Sequence, residues 1–201
     1  MTAAARLACM RPMPSPVSMP RVYGFAPVVD ARAAILIVGS MPGVASLQAQ
    51  QYYAHPRNQF WKIMDHICGA GVQLPYAARL RALQEHGLAL WDVLQSCVRP
   101  GSLDAAIVHT SAAPNDLPAL LRRQPRIARL CCNGGAAYRA LQRHFAVPLA
   151  QNFAHLDIRQ LPSTSPANAG CSPQRKLTAW TAALARPPAA GQPHRPASAL
   201  L

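Results

Sequence analysis

The sequence predicts a three-layer α/β/α domain, with helices on both faces of a central, mostly parallel, four-stranded sheet. Three observations lead there. Four short strand candidates, the first of them fully apolar, alternate with longer stretches of helical periodicity between residues 21 and 185. The first run, Ile35-Leu36-Ile37-Val38, is apolar at every position, as a strand covered on both faces must be. Polar or Gly-containing clusters then follow the runs, at the ends where a parallel sheet builds its ligand site.

Taken in order, Gly39 ends the first run and opens the tight turn Gly39-Ser40-Met41-Pro42-Gly43. Residues 58–68 read as a helix for which Asn58 is an acceptable cap. A second helix spans 76–86, with Leu80 and Leu83 on one face and Gly87 as its stop. Leu88-Ala89-Leu90-Trp91 is the second strand and carries Asp92 at its end. A helix over 115–123 follows, with Asn115 as its cap, and then a third strand over 127–132, leading into Asn133-Gly134-Gly135. Residues 136–145 are helical and 157–161 form the fourth strand. Ser172 caps a last helix with Pro173 at its first position, running to about 184. Residues 1–20, rich in Pro and Met, are expected to be disordered or a mis-called extension with Met19 as the start; 186–201 is expected to be a disordered Pro/Ala tail.

Composition narrows the function class. Twenty Lys and Arg stand against seven Asp and Glu, a net charge of +13, which favours a polyanionic partner such as DNA or RNA. Only Lys62 and Lys176 are lysines, so an arginine-rich codon bias explains part of the excess. No run of about 18 apolar residues exists to span a membrane, and a cytoplasmic location is expected. The six cysteines contain no C-x-x-C pair; neighbouring Cys131 and Cys132 face opposite sides of a strand and cannot both hold one metal. Reduced, buried thiols are the expectation.

The clusters carry the chemistry. Gly39-Ser40-Met41-Pro42-Gly43 is not a nucleophile elbow, because Ser40 directly follows the first glycine, nor a phosphate loop, because it lacks that glycine spacing and the Gly-Lys-Ser/Thr ending, and it reads equally as a plain strand-to-loop connection. Gln50-Gln51-Tyr52-Tyr53-Ala54-His55-Pro56-Arg57-Asn58-Gln59-Phe60-Trp61 packs aromatic, amide and guanidinium groups into one approach. A helix cap accounts for Asn58; the tyrosines, histidine and arginine suit a site that sandwiches a flipped base and holds its phosphate. Leu161-Pro162-Ser163-Thr164-Ser165-Pro166-Ala167-Asn168 is either a turn before the last helix or a loop whose hydroxyls and N–H groups grip a DNA phosphate. Asp92 alone among the seven acids sits squarely at a strand end.

In this order and separation, the three segments closely resemble the hypoxanthine-DNA glycosylase (deoxyinosine glycosylase) branch of the uracil-DNA glycosylase superfamily. The likeness extends to Gly24-Phe25-Ala26-Pro27-Val28, Ala89 to Leu94, Arg99-Pro100-Gly101-Ser102-Leu103-Asp104 and Asn115-Asp116, covering about residues 22–184. It implies a uracil-DNA glycosylase-like fold over 21–185. It also implies a monofunctional enzyme, free of metal and cofactor and acting as a monomer, that removes a deaminated base from DNA, hypoxanthine preferred.

Asn58 matches the family's catalytic asparagine, and Asn133 a position that recognises the flipped base. Phe60 is expected as the stacking face, with Gly39, Ser40, Asp92 and Tyr53 around the base. Arg57, His55, Ser163, Thr164, Ser165 and Asn168 are expected on DNA phosphates. Other branches carry a histidine in the 163–168 loop, which this chain lacks. The chemistry is compatible: base departure leaves an oxocarbenium-like sugar, and an uncharged amide can orient water and stabilise that sugar. Neither Lys62 nor Lys176 is placed as a lyase nucleophile. The alternatives are a uracil- or xanthine-preferring glycosylase of the same superfamily, or a non-catalytic basic nucleic-acid-binding α/β protein, for which the charge alone suffices.

Overall fold

The computed structural model describes residues 21–185, so the extension and tail expected at 1–20 and 186–201 lie outside the described residues. In chain order the elements are β1 (Arg21–Tyr23), β2 (Ile35–Gly39), α1 (Val44–Ala49), α2 (Phe60–Cys68), α3 (Tyr76–Glu85), β3 (Leu88–Asp92), β4 (Leu94–Val98), β5 (Val108–Pro114), α4 (Leu117–Arg123), β6 (Arg129–Asn133), α5 (Gly135–Asn152), β7 (Asp157–Leu161) and α6 (Pro173–Leu184). The four strands expected from sequence form one sheet in the order β3-β2-β6-β7, parallel throughout.

Alternation along these strands builds the two outer layers. Leu36, Val38, Leu130 and Cys132 share one apolar core with Leu120 of α4 and with Leu141 and Phe145 of α5. Ile35, Ile37, Leu90 and Cys131 share the opposite core with Phe60 and Met64 of α2, Leu83 of α3 and Trp180 of α6. Cys131 and Cys132 are buried, free and in different cores.

The register brings the carboxyl ends to one level: Gly39 lies opposite Asp92, and Asn133 opposite Leu161. The turns after β2, β3, β6 and β7 all hang from that edge.

Several elements differ from the sequence reading. A second, antiparallel sheet, β1-β4-β5, covers part of the first core through Val22, Leu94, Cys97 and Ala112. The sequence conceals it because only Val93 separates β3 from β4, and β4 and β5 are too rich in polar and small residues to form an apolar run. The break is a bend at Val93, whose N–H makes the last rung of the parallel ladder by donating to Gly39 O at 2.9 Å. α1 is likewise absent from the sequence reading. α5 runs seven residues past the expected end at 145, through Pro148, because Leu149 and Phe153 are buried in the core and hold its last turns. Asp116, not Asn115, caps α4 by accepting from Ala119 N at 2.9 Å; Asn115 is buried and donates to Asp92 O at 2.9 Å. Ser172 caps α6 with Pro173 following, as expected. Among the described residues no helix is long and apolar enough to cross a membrane.

Candidate active site

A cavity of about 280 Å³ opens at the carboxyl edge of the parallel sheet, near the lower end of the volumes that enclose small planar ligands. Its floor is the junction of β2 and β3. Gly39 is the last residue of β2, and a Cβ there would overlap Asp92 Oδ1 and sit 3.6 Å from the Tyr53 hydroxyl. Only a residue without a side chain lets both polar groups converge on that point.

The loop after β2 is braced from below. Arg99, 4% exposed, donates to the carbonyls of Met41, Pro42 and Gly101. Ser40 Oγ donates to Asp104 Oδ1 at 2.6 Å, and Val44 N donates to Ser102 Oγ at 2.9 Å. Residues 40–44 and 99–104 are therefore one rigid wall.

The second wall is the segment 52–61. Tyr52 and Trp61 are buried anchors: Trp61 Nε1 donates to Tyr52 O, and Tyr52 N donates to the Tyr76 hydroxyl, both at 2.9 Å. Between them Tyr53 adopts φ 56, a left-handed backbone that a bulky residue adopts only under constraint. That bend lays its ring on Phe60, with centroids 3.9 Å apart and planes 24° from parallel. Asn58 follows, its N–H donating to His55 O at 2.8 Å and its Oδ1 accepting from Phe60 N at 3.0 Å. The amide orientation is thus set by the first N–H of α2.

The third wall is the loop after β7. Gly134, at φ 98, lets the chain turn from β6 into α5 directly beside Ser163, whose Cβ would lie 2.7 Å from a side chain there. Asn133 and Thr164 are locked together: Asn133 Nδ2 donates to Thr164 Oγ1 and Thr164 N donates to Asn133 Oδ1, both at 2.9 Å. Gln59 N donates to Thr164 O at 3.0 Å, tying the second wall to the third. From behind, Trp180 Nε1 donates to Pro162 O and buried Lys176 Nζ to Asn168 O, both at 2.9 Å.

Ten of the thirteen residues singled out in the sequence line this cavity: Gly39, Ser40, Tyr53, His55, Asn58, Asp92, Asn133, Ser163, Thr164 and Ser165. Three do not. Phe60, expected as the stacking face, is fully buried, and Tyr53 stacked on it takes the cavity side. Arg57 is exposed outside the cavity. Asn168 lines an adjoining groove and donates to Ser163 O at 3.1 Å, bracing its own loop. Thr164, expected on a phosphate, is 0% exposed, and its hydroxyl and N–H are committed to Asn133. Sequence reasoning gave no role to Arg99 or Asp104, although both stand in the segment 99–104 that carries part of the family likeness.

Two atoms define the electrostatics. The Tyr53 hydroxyl and Asp92 Oδ2 are buried without a hydrogen-bond partner among the described residues. Leaving such a group unmade costs about 1–3 kcal/mol, so two at one cavity floor mark a place where a polar ligand completes the network. Burial pushes the Asp92 carboxyl up to about 7, the Asp104 carboxylate pushes it the same way, and Arg99 opposes them. Burial, with the nearby Asp92 charge, also raises the Tyr53 phenol. The floor thus offers a carboxyl that exchanges a proton near neutrality beside a phenol that stays protonated, each able to donate and accept. Among the described residues no three His, Cys, Asp or Glu side chains gather as metal ligands would.

Comparison with known proteins gives a consistent picture. The family described as the uracil DNA glycosylase superfamily matches residues 26–185. A protein of Methanosarcina acetivorans named hypoxanthine DNA glycosylase is 34% identical over 160 residues, covering 79% of this chain and 95% of its own length. A Methanosarcina barkeri protein of the same name is 44% identical over 85 residues, 42% of this chain and 54% of its own. The solution NMR structure of a candidate uracil DNA glycosylase from Methanosarcina acetivorans superposes with a TM-score of 0.66 at 33% identity, covering 82% of this chain and 97% of that one.

Proposed function

The chain belongs to the uracil DNA glycosylase superfamily, and on that premise we propose that it hydrolyses the N-glycosidic bond of a deaminated base in DNA, hypoxanthine first among them, to initiate base-excision repair. The observation that carries the reading is the floor of the cavity. A slot lined by Tyr53 ends on two unpartnered polar groups, with the oriented Asn58 amide lining the same space. A base turned out of the helix brings a flat π-face and an edge of donors and acceptors, which is what such a slot lacks. The name shared by the two Methanosarcina relatives points to hypoxanthine as that base.

In this mechanism Tyr53, braced by Phe60, meets the base edge through its hydroxyl, together with Asp92 and the spare N–H of Asn133. Asn58 holds the attacking water through the lone pair that Phe60 N–H leaves free, and its carbonyl faces the positive charge developing on the sugar. His55, Ser163, Ser165 and, from outside, Arg57 hold the phosphates on either side. No side-chain amine is used, so the product is an abasic site in an intact strand. The protein acts as a monomer in the cytoplasm, and sedimentation of the full chain on and off DNA checks its stoichiometry.

Base release from oligonucleotides carrying inosine, uracil or xanthine tests the reading. The full chain is expected to release free hypoxanthine fastest, with strand scission only after alkali. Asn58→Ala is expected to lower single-turnover release about 100-fold or more, in the range of a lost positioning group. Uracil leads a second reading, which the solved relative's description favours, and the same panel separates the two. Tight binding without release from any lesion would sink both.

A further inference from the structure

The proposed reaction leaves a negative base behind, and among the described residues no Lys or Arg lines the cavity. Arg99 is turned away onto three backbone carbonyls. The loop after β7 supplies hydroxyls and backbone groups but no histidine. His55 lines the cavity from a partly exposed position, with its Nδ1 engaged by Arg57 N at 3.1 Å. The group that does reach the floor is Asp92, with Oδ1 against Gly39 and Oδ2 buried and unpartnered.

On the glycosylase reading, we infer that Asp92 is the acid of the reaction, passing the Oδ2 proton to a ring nitrogen of the departing base as the glycosidic bond breaks. The electron pair of that bond stays with the base and is neutralised by the proton. Water held by Asn58 adds to the sugar carbon, and the proton it sheds restores the acid form of Asp92. The net change is hydrolysis, and no other reactant is required.

The surroundings of Asp92 suit this cycle. Asp104, from the turn after β4, and burial both favour the protonated form; Arg99 alone opposes it. Tyr52 and Tyr53 face it from the second wall, and their phenols are themselves driven up by burial and by the Asp92 charge, so neither competes as the acid. A carboxyl poised near neutrality holds its proton in the free protein and yields it to a developing anion, the compromise that general acid catalysis favours. The peptide frame is firm as well, since Asn115 Nδ2 holds Asp92 O at 2.9 Å.

Single-turnover release of hypoxanthine by the full chain, followed from roughly pH 5 to 9, tests the assignment. The wild-type rate is expected to fall along an alkaline limb centred near 7. Asp92→Asn keeps the shape but has no transferable proton, so it should be about 100-fold slower and should lose the limb, while still binding the same DNA. A residue that only shaped the pocket would leave the limb in place; a persisting limb, or an undiminished rate, overturns the proposal. The carboxyl ¹³C resonance of Asp92 in the wild-type chain provides a check that needs no variant. It must titrate with the midpoint of the rate, and titration in the ordinary carboxylate range overturns the proposal too. A wild-type chain that releases no base takes the glycosylase reading down with it, whereas activity surviving in Asp92→Asn removes the acid alone.

Discussion

Asp92 is held where a carboxylate is least welcome, and stability should register that. Its carboxyl is raised from 3.8 to about 7, chiefly by burial, so the folded chain keeps this proton to higher pH than the unfolded chain does. The stability tied to the group is therefore fully present below about pH 4 and is lost as pH rises through about 7. By linkage the loss approaches about 4 kcal/mol on the alkaline side, an order-of-magnitude figure for a pair of pKa values this far apart. Asparagine does not titrate, so Asp92→Asn should be more stable than the wild type near pH 8, and the difference should shrink near pH 5. Urea unfolding at the two pH values measures it, and equal differences at both would mean that the carboxyl titrates normally. The fold retains the group because Gly39 leaves room for it and Asn115 anchors its backbone, a placement that packing alone does not require.

Loops hung from the sheet edge depend on a few buried cross-ties, of which Arg99 is the most exposed to test. Its guanidinium satisfies three carbonyls and has no carboxylate in salt-bridge contact among the described residues. Arg99→Met should therefore cost about 3 kcal/mol through unmet carbonyls. It should also move the alkaline limb of base release upward, because the one positive charge opposing protonation of Asp92 is gone. Urea midpoints and the rate profile of one variant read both effects, and a limb that stays or moves down contradicts the electrostatic account. Such ties also mark where sequence reading stops. Among the parallel strands β2 and β3 were the most legible, because burial on both faces leaves continuous apolar runs at residues 35–38 and 88–91. Sheet-end register then placed Gly39, Asp92, Asn133 and Ser163 together without any side-chain information. β5 escaped because its exposed residues carry no apolar pattern, and α5 outran Pro148 because tertiary burial of Leu149 and Phe153 outweighs one missing N–H. Within the site, residue types were readable but orientations were not. Phe60 and Tyr53 both suit a stacking face until the left-handed turn at Tyr53 decides which ring covers the other.

At the scale of the whole molecule the question is how a chain of net charge +13 lies along DNA. Two further grooves adjoin the cavity. One runs past Asn133, Ser163 and Asn168 to Arg139; the other joins Ser40 and Asp104 to His109, Arg139, Arg143 and His144. Arg139 and Arg143 are exposed on α5, and none of the salt bridges among the described residues uses them. Their guanidinium groups therefore stand free beside the path by which a strand would leave the cavity, where each can neutralise one phosphate. Replacing phosphate-binding side chains weakens binding without regard to sequence and flattens its salt dependence, by about one unit of slope for each phosphate no longer neutralised. Arg139→Gln with Arg143→Gln should accordingly lower the slope of log affinity against log salt by about two and raise the KM for inosine-containing duplex. Release from the saturated complex should stay at the wild-type rate, since neither residue lines the cavity. Titration of labelled duplex at several salt concentrations, paired with single-turnover rates at saturating protein, separates these quantities. An unchanged slope would move the path of the strand to the opposite side of the cavity, toward the exposed Arg57.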